Sequence, residues 1–522
     1  MPRRPKPKNT LSAGERVALY EAEKRSANTS DTAFAEPSEI SNKVDDAYVT
    51  DSISTAAEKE KPTKEKKAKK PLPKPQRVTV NVDLSIPVGE IAPLHGICNG
   101  PTSYGADISH LFKEIGVPAV RFDGTDTPMS GYAVDISRIF KNPDADPSDE
   151  ENYDFSVTDR YVTAARLSGA EIVYRLGESR DIFDPERCAR IPSDVDALAR
   201  VCVNIIRHYN DRWAGGFSLG IKYFEIWSRS FSRGGLADDA EIYRRLANAV
   251  KLYDEGLMVG GMSFSRHTEA AEFLRYCKKN RAPVDFLTVD CFGGDPNECL
   301  SHLSAVRKSA VELGYPSLEL IVGKWAFVDV GDEEERDALK LLSGSDEKSA
   351  EARSRMLSDR GSLENAAFSA AFLLGLCDND KVTRAFAFDG QPIISPFCGI
   401  CDRSGERMKQ FYALKAFGEL YRAGGRVLCQ CESPEGFGHG GIYAVAAVSE
   451  SGECYVMIAS FDGCDTVDLR LDGIPENVYT AEVFMLDGVK NMESAAQTQL
   501  SGIRKRLVLN LSSYGVILVR LY

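Results

Sequence analysis

The sequence predicts a (β/α)8 TIM barrel followed by a β-sandwich, with a disordered N-terminal tail ahead of both. Three observations lead there. Strand-like and helix-like segments alternate eight times between Glu90 and Gly424. After Gly425 the chain holds only short strand patterns at close spacing, the signature of a small sandwich. Residues 1–76 are rich in Lys, Pro, Ser and Glu and poor in aromatics, so they bury too little apolar surface to offset ordering entropy. Eight strand-then-helix units close as a parallel barrel, and 88–424 is an ordinary length for one. An open doubly wound sheet is the alternative. It is the weaker one, because no glycine-rich phosphate loop follows the first strand.

The elements follow in order. Within the tail, Leu11–Arg25 has the pattern of a short helix, and 59–74 carries eight lysines. That run reads as a solvated linker, with a polyanion or membrane-surface tether as its functional alternative. VTVNVDLSI (78–86) alternates like a half-buried strand and is expected to join the C-terminal sandwich, giving segments 1–76, 77–87, 88–424 and 425–522. The barrel strands are expected at 90–97, 118–124, 171–179, 222–228, 257–264, 284–292, 318–327 and 383–390. Helices are expected at 108–116, 194–209, 240–256, 268–280, 299–314, 363–377 and 408–425, with Ser193 as an N-cap and Gly256 as a C-cap. The charged insertion 331–356 reads as a mobile loop over the barrel mouth.

Charge and composition narrow the partners. The chain has 64 Lys+Arg against 77 Asp+Glu, and the excess acid lies wholly beyond residue 77. An acidic body argues against nucleic acid, since phosphate binding needs a basic surface. No run approaches the roughly 18 apolar residues of a membrane span, and no secretory pattern opens the chain, so a cytoplasmic location is expected. Thirteen scattered cysteines fit that compartment.

In such barrels the chemistry sits at the C-terminal strand ends. Those ends carry Arg121 and Asp123 on strand two, Arg175 and Glu178 on three, and Glu225, Trp227, Ser228 and Arg229 on four. Asp290 follows on six, Lys324 and Trp325 on seven, and Asp389 on eight; His95, at strand one, is the histidine expected to face the pocket. Charged groups beside aromatic faces suit a sugar, whose apolar face stacks while its hydroxyls are bonded. The alternative is that these groups merely satisfy one another inside the barrel.

YFEIWSRSFS (223–232) resembles the strand-four segment of clan A glycoside hydrolases, where Trp-Asn-Glu-Pro carries the acid/base glutamate. IVGKWAF (321–327) resembles their strand-seven segment, where a Glu before Trp is the nucleophile. Residues 201–227 and 388–424 are similar, in order and spacing, to passages of bacterial relatives of family thirty-nine, the β-xylosidase family. The resemblance spans 78–522 and implies a carbohydrate-active barrel with a terminal β-domain. It also marks departures at three strand ends. The acid/base position falls on Arg229 and the nucleophile position on Lys324; strand six carries Asp290 and Phe292 where relatives have His and Tyr.

Retaining hydrolysis needs two carboxyl groups about 5–5.5 Å apart. A guanidinium, with its pKa above about 12, cannot act as the acid, and an ammonium repels the cationic charge of the transition state. The chain is therefore read as a catalytically inactive pseudo-glycosidase binding a carbohydrate or a protein partner, with Arg229 and Lys324 favouring an anionic sugar if they face inward. The rivals are an active glycosidase using displaced carboxylates from Asp123, Glu178, Asp290 and Asp389, and a structural scaffold. Asp290 and Lys324, on adjacent strands, are expected within about 4 Å of each other. Glu178 and Glu225 are expected to pair with Arg121, Arg175 or Arg229. No cofactor is implied. Cys398, Cys401, Cys429 and Cys431 make a CxxC and a CxC, an unusual zinc pairing, and no metal is expected.

Overall fold

The computed structural model describes residues 77–103, 106–122, 133–178, 192–227, 236–328, 333–341, 346–379, 381–392, 395, 397–432, 441–476, 478, 480–500 and 505–522. The expected tail, 1–76, lies outside them. Eight parallel strands close a barrel in chain order: Gly96–Cys98, Ala119–Phe122, Glu171–Leu176, Tyr223–Ile226, Met258–Gly261, Phe286–Gly293, Glu319–Phe327 and Val382–Ala387, here called barrel strands one to eight. Strand eight pairs back onto strand one through Phe386–Gly96 and Ala387–Ile97. Strand one is shorter and later than expected, because Glu90 ends a different strand, Val78–Glu90.

Helices pack around the outside, and two of their ends differ from expectation. The helix Val195–Asn210 is capped by Asp194, whose side chain accepts from the Asp196 N–H, and not by Ser193. The helix Leu236–Tyr253 stops ahead of Gly256, whose N–H is taken by Asp254 Oδ1 at 2.8 Å in a side-chain turn. The insertion 331–356 is helical where described and is no loop: Glu333–Leu341 and Glu347–Arg360, the second capped by Asp346. Ala338, Ala352 and Met356 seat it against Ala326, Val328 and Phe397, and buried Arg360 pairs with Glu335 at 2.5 Å.

Alternate residues of the barrel strands face inward. At the strand starts the interior is apolar, filled by Cys98, Ala119, Val173, Tyr223, Phe286, Ile321 and Phe386. Toward the strand ends it becomes charged. That change of character along one axis positions the candidate site.

The C-terminal strands form one continuous nine-stranded sheet. Its order is Asn491–Gln499, Thr480–Leu486, Tyr514–Leu521, Cys454–Phe461, Ile442–Val448, Gly425–Glu432, Val78–Glu90, Thr466–Asp472 and Lys505–Asn510. Val78–Glu90 lies antiparallel to Gly425–Glu432 and parallel to Thr466–Asp472. One face of the sheet buries Val78, Val80, Val82, Ile442, Val456, Val467, Leu469 and Val519, with no helix in that cluster. A strand face so buried must be covered by other strands of the same sheet, so the sheet folds over itself as a sandwich. Its other face meets Leu363–Leu376, a helix apolar on all sides because it lies between barrel and sheet. Phe368 of that helix is 5.4 Å from Phe327 of the barrel and 5.9 Å from Phe461 of the sheet.

Candidate functional site

Arg121 enters the interior from strand two and Glu225 from strand four; neither side chain is exposed. The guanidinium grips the carboxylate twice, Nε to Oε2 at 2.8 Å and Nη2 to Oε1 at 2.9 Å. Its Nη2 also donates to Ser263 Oγ at 3.1 Å, and its Nη1 to the Gly323 carbonyl at 3.2 Å. Gly323 makes room for this: a Cβ there would lie 2.2 Å from Thr288 Cγ2 and 3.2 Å from Arg121 Cζ. A forked pair of this kind fixes both partners in a buried layer.

The neighbouring charges are also engaged. Arg175 donates to Asp135 Oδ1 at 2.5 Å, with both side chains fully buried. Glu178 accepts from Ser137, its backbone N at 2.6 Å and its hydroxyl at 2.7 Å. Asp389 Oδ1 accepts from the Gln391 N–H at 2.9 Å. Thus Glu225 pairs with Arg121 as the residue types suggested; Arg175 pairs with Asp135 and Glu178 accepts from Ser137, while Arg229, the other expected partner, lies outside the described residues. Asp135 and Ser137, with Ser263, carried no signal: they lie in the stretch after strand two and in the loop after strand five, away from the strand ends that pattern reading inspects.

Strands six and seven are built differently. Val322 stands opposite Val289, and Lys324 opposite Asp290, so Gly323 is an extra residue in strand seven. This bulge resets the inward–outward alternation. Ile321 and Gly323 face inward, Lys324 follows them inward beside Asp290, and Trp325 turns outward against Phe372, ring centroids 5.6 Å apart. Asp290 is 3% exposed, and its oxygens accept no hydrogen bond among the described residues. Lys324 is fully buried, with its Nζ 5.4 Å above the Phe388 ring. The expected Asp290–Lys324 contact within 4 Å is corrected by this geometry. The two are register partners on one side of the sheet, but the ammonium reaches over the Phe388 ring, and Asp290 makes no ion pair in the described structure.

Three other candidates lie away from the interior. His95 precedes strand one, at the opposite end of the barrel, because the strand begins at Gly96. Its Nε2 meets the Gly116 carbonyl at 3.1 Å, and its ring packs on Phe417 and Tyr421. Burial holds its pKa down to about 3, opposed by the Gly116 hydrogen bond and helped by the Arg422 charge. Trp325 belongs to the outer core, and so does Trp227, whose backbone takes a left-handed φ of 52°. The Trp227 ring covers Gly177, where a Cβ would sit 2.7 Å from it. Asp123, Ser228 and Arg229 lie outside the described residues.

The four cysteines do not converge. Cys398 and Cys401 are hydrogen-bonded neighbours after strand eight, and that bond, with burial, pushes the Cys398 thiol well up. Cys429 and Cys431 lie on Gly425–Glu432 in the sheet, where burial raises the Cys431 thiol to about 12. No group of three or more His, Cys, Asp or Glu among the described residues is placed to hold a metal. No described helix is long and apolar enough to cross a membrane.

No family model matches the chain, and no curated protein does. Solved structures do. A glucosidase from Croceicoccus marinus superposes with a TM-score of 0.66 at 21% identity, covering 85% of this chain and 98% of its own. The GH39 enzyme from Xanthomonas axonopodis pv. citri gives 0.59 at 15%, covering 86% and 97%. The GH51 α-L-arabinofuranosidase from Thermotoga petrophila gives 0.58 at 11%, covering 85% and 100%. Barrel and terminal sheet together therefore have the architecture of glycoside hydrolases; at these identities the likeness establishes the fold.

Proposed function

We propose that this chain is a glycoside-hydrolase-like barrel that binds a carbohydrate without cleaving its glycosidic bond. The observation that carries the proposal is the inward-facing Lys324 at the strand-seven position where the resemblance sets the nucleophilic carboxylate. The described acids add support. Glu225 is held by Arg121, Glu178 by Ser137 and Asp389 by a backbone N–H, whereas Asp290 accepts no hydrogen bond among the described residues. Hydrolysis asks for two working carboxyl groups. The structural neighbours include a glucosidase, β-xylosidases and arabinofuranosidases, so neutral hexose and pentose units are the first ligands to try, with anionic sugars next.

The test is hydrolysis of a panel of aryl glycosides by purified protein, beside calorimetric titration with methyl glycosides. Binding without turnover is the expected result. Turnover that persists in Arg229→Ala and Lys324→Ala variants would overturn the proposal in favour of displaced carboxylates. Turnover gained only by the Arg229→Glu, Lys324→Glu double variant would support it, since the pocket then fits a sugar and lacks only the chemistry.

A further inference from the structure

We propose that Cys429 and Cys431 form a two-thiolate site for a soft monovalent cation, Cu(I), at the seam between barrel and sheet. The site is separate from the barrel interior and independent of the sugar-binding reading. Of the twelve described cysteines nine are buried, and the three that are not are Cys377, Cys429 and Cys431. These three gather at one place. A cavity of about 680 Å³ opens at the seam, with Cys429 and Cys431 in its wall and Leu300 and Leu374 of two barrel helices facing them. Cys377 sits between Gly375 and Asp378, which line the same cavity. The Arg426 guanidinium donates to the Cys377 carbonyl and pairs with Asp378.

The cavity exists because the sheet parts here. Among the described residues, Gly425–Glu432 pairs with Ile442–Val448 only through Gly425, Arg426 and Val427. Beyond Val427 the two strands separate, and Leu428–Glu432 and Ala444 border the opening. Register places both thiols on one face. Cys429 stands opposite Val82 and Cys431 opposite Val80, and both valines are buried in the sandwich core. Residues two apart on a strand have Cα atoms about 6.5 Å apart. An ion held by two metal–sulfur bonds of about 2.3 Å needs sulfurs about 4.6 Å apart. Two side chains on one face, inclined toward each other, close that difference.

The ligand count selects the ion. No third His, Cys, Asp or Glu among the described residues is placed to join the two thiols. A structural Zn(II) asks for four ligands, and Ca(II) or Mg(II) for oxygen. A soft monovalent ion is satisfied by two thiolates. Burial keeps both thiols protonated, opposed at Cys429 by the Arg426 charge and at Cys431 by the Ala444 N–H. Binding therefore releases protons. Two thiols and Cu(I) give a singly negative bis-thiolate complex and two protons, with no change of oxidation state. Arg426 stands beside Cys429 as a positive charge near that complex.

The experiment titrates the full chain without oxygen, under ascorbate, with Cu(I) held by bicinchoninate, whose colour fades as the protein takes the ion. The native chain is expected to take up one equivalent, with two sulfur neighbours in X-ray absorption. Cys429→Ser and Cys431→Ser are each expected to weaken uptake at least about 100-fold, and Cys377→Ser and Cys398→Ser less than about tenfold. A second measurement needs no variant. Bound Cu(I) is expected to protect Cys429 and Cys431 of the native chain from N-ethylmaleimide, read by peptide mass spectrometry, and to leave Cys377 as reactive as before. No uptake by the native chain overturns the inference. Uptake that survives the two substitutions at Cys429 and Cys431 together overturns it as well, and so does protection that falls on Cys398 and Cys401 instead.

Discussion

The two halves of the barrel's charged layer follow different rules. On strands two to four each described inward charge named above has a partner in place: Arg121 on Glu225, Arg175 on Asp135, Glu178 on Ser137. On strands six and seven, Asp290 faces the interior with neither oxygen bonded among the described residues, beside an inward lysine. The first half is closed chemistry. Arg121 and Glu225, and Arg175 and Asp135, neutralise each other, and removing one member strands the other. The second half keeps a desolvated carboxylate without a donor, which is costly for a fold and useful for a ligand. The contrast separates the part of the layer whose charges are bonded to one another from the part that holds an acid with no hydrogen bond among the described residues.

Breaking the closed half gives the largest expected effect. Arg121→Met leaves the Glu225 charge buried without its counter-ion and is expected to cost about 3–5 kcal/mol in urea unfolding. Adding Glu225→Met should recover most of that loss, because the desolvation penalty of the pair goes with it. A single-variant loss below about 1 kcal/mol would mean that the pair is not the clamp its geometry describes.

The opposite end of the barrel gives the next effect, and it depends on pH. His95 is held neutral to about pH 3 in the folded chain against 6.5 in the unfolded one, chiefly by burial. The carbonyl of Gly116 can only accept, so Nε2 carries the proton there, and the buried Nδ1 has no acceptor for a second among the described residues. The unfolded chain thus binds the extra proton first. Stability from this site is full above pH 6.5 and falls as the pH drops toward 3, with a slope approaching about 1.4 kcal/mol per pH unit. His302, lowered to about 4 by burial and by His267, acts in the same direction. Unfolding curves of His95→Gln between pH 7 and 4 should show a shallower slope than the native chain; equal slopes would remove His95 from the account.

The open half should respond in the reverse sense. Asp290→Asn removes a buried charge that has no described hydrogen bond to lose, so stability is expected to stay within about 1 kcal/mol of native or to rise. A loss of the size expected for Arg121→Met would show that Asp290 belongs to the closed half. The smallest effect is expected outside the barrel layer. The Arg355–Glu334 pair, 2.8 Å long but 47% and 76% exposed, should contribute about 0.5 kcal/mol or less, measured as Arg355→Ala in low and high salt.

Much of the barrel was legible because its signals are local. Alternating segments such as TRAFAFDG and the glycine after ISHLFKEI announce a strand and a helix end from a few neighbouring residues, and the structure sets Gly116 in the left-handed cap the pattern asks for. The charged insertion was not legible. Its two helices bury only a few small or flexible side chains, Ala338, Ala352 and Met356, too sparse a stripe to stand out among so many charges. Of the candidate site, Arg121, Arg175, Glu178, Glu225, Asp290, Lys324 and Asp389 lie buried at or near the C-terminal strand ends as the barrel rule requires. His95, Trp227 and Trp325 do not line the interior, for reasons of register and backbone conformation that act over longer distances.

By itself the sequence determined the eight-fold alternation and the all-β end, since period and turn residues are properties of the chain alone. Which charge meets which was decided only in three dimensions. The partner of Arg175 comes from the stretch after strand two, and that of Arg121 from two strands away around the ring. The direction of Trp325 and Lys324 depends on one extra residue, Gly323, in the pairing of strand seven with strand six. A bulge is a relation between two strands, so neither strand's own pattern contains it, and one residue of register is enough to exchange the inside of a barrel for the outside.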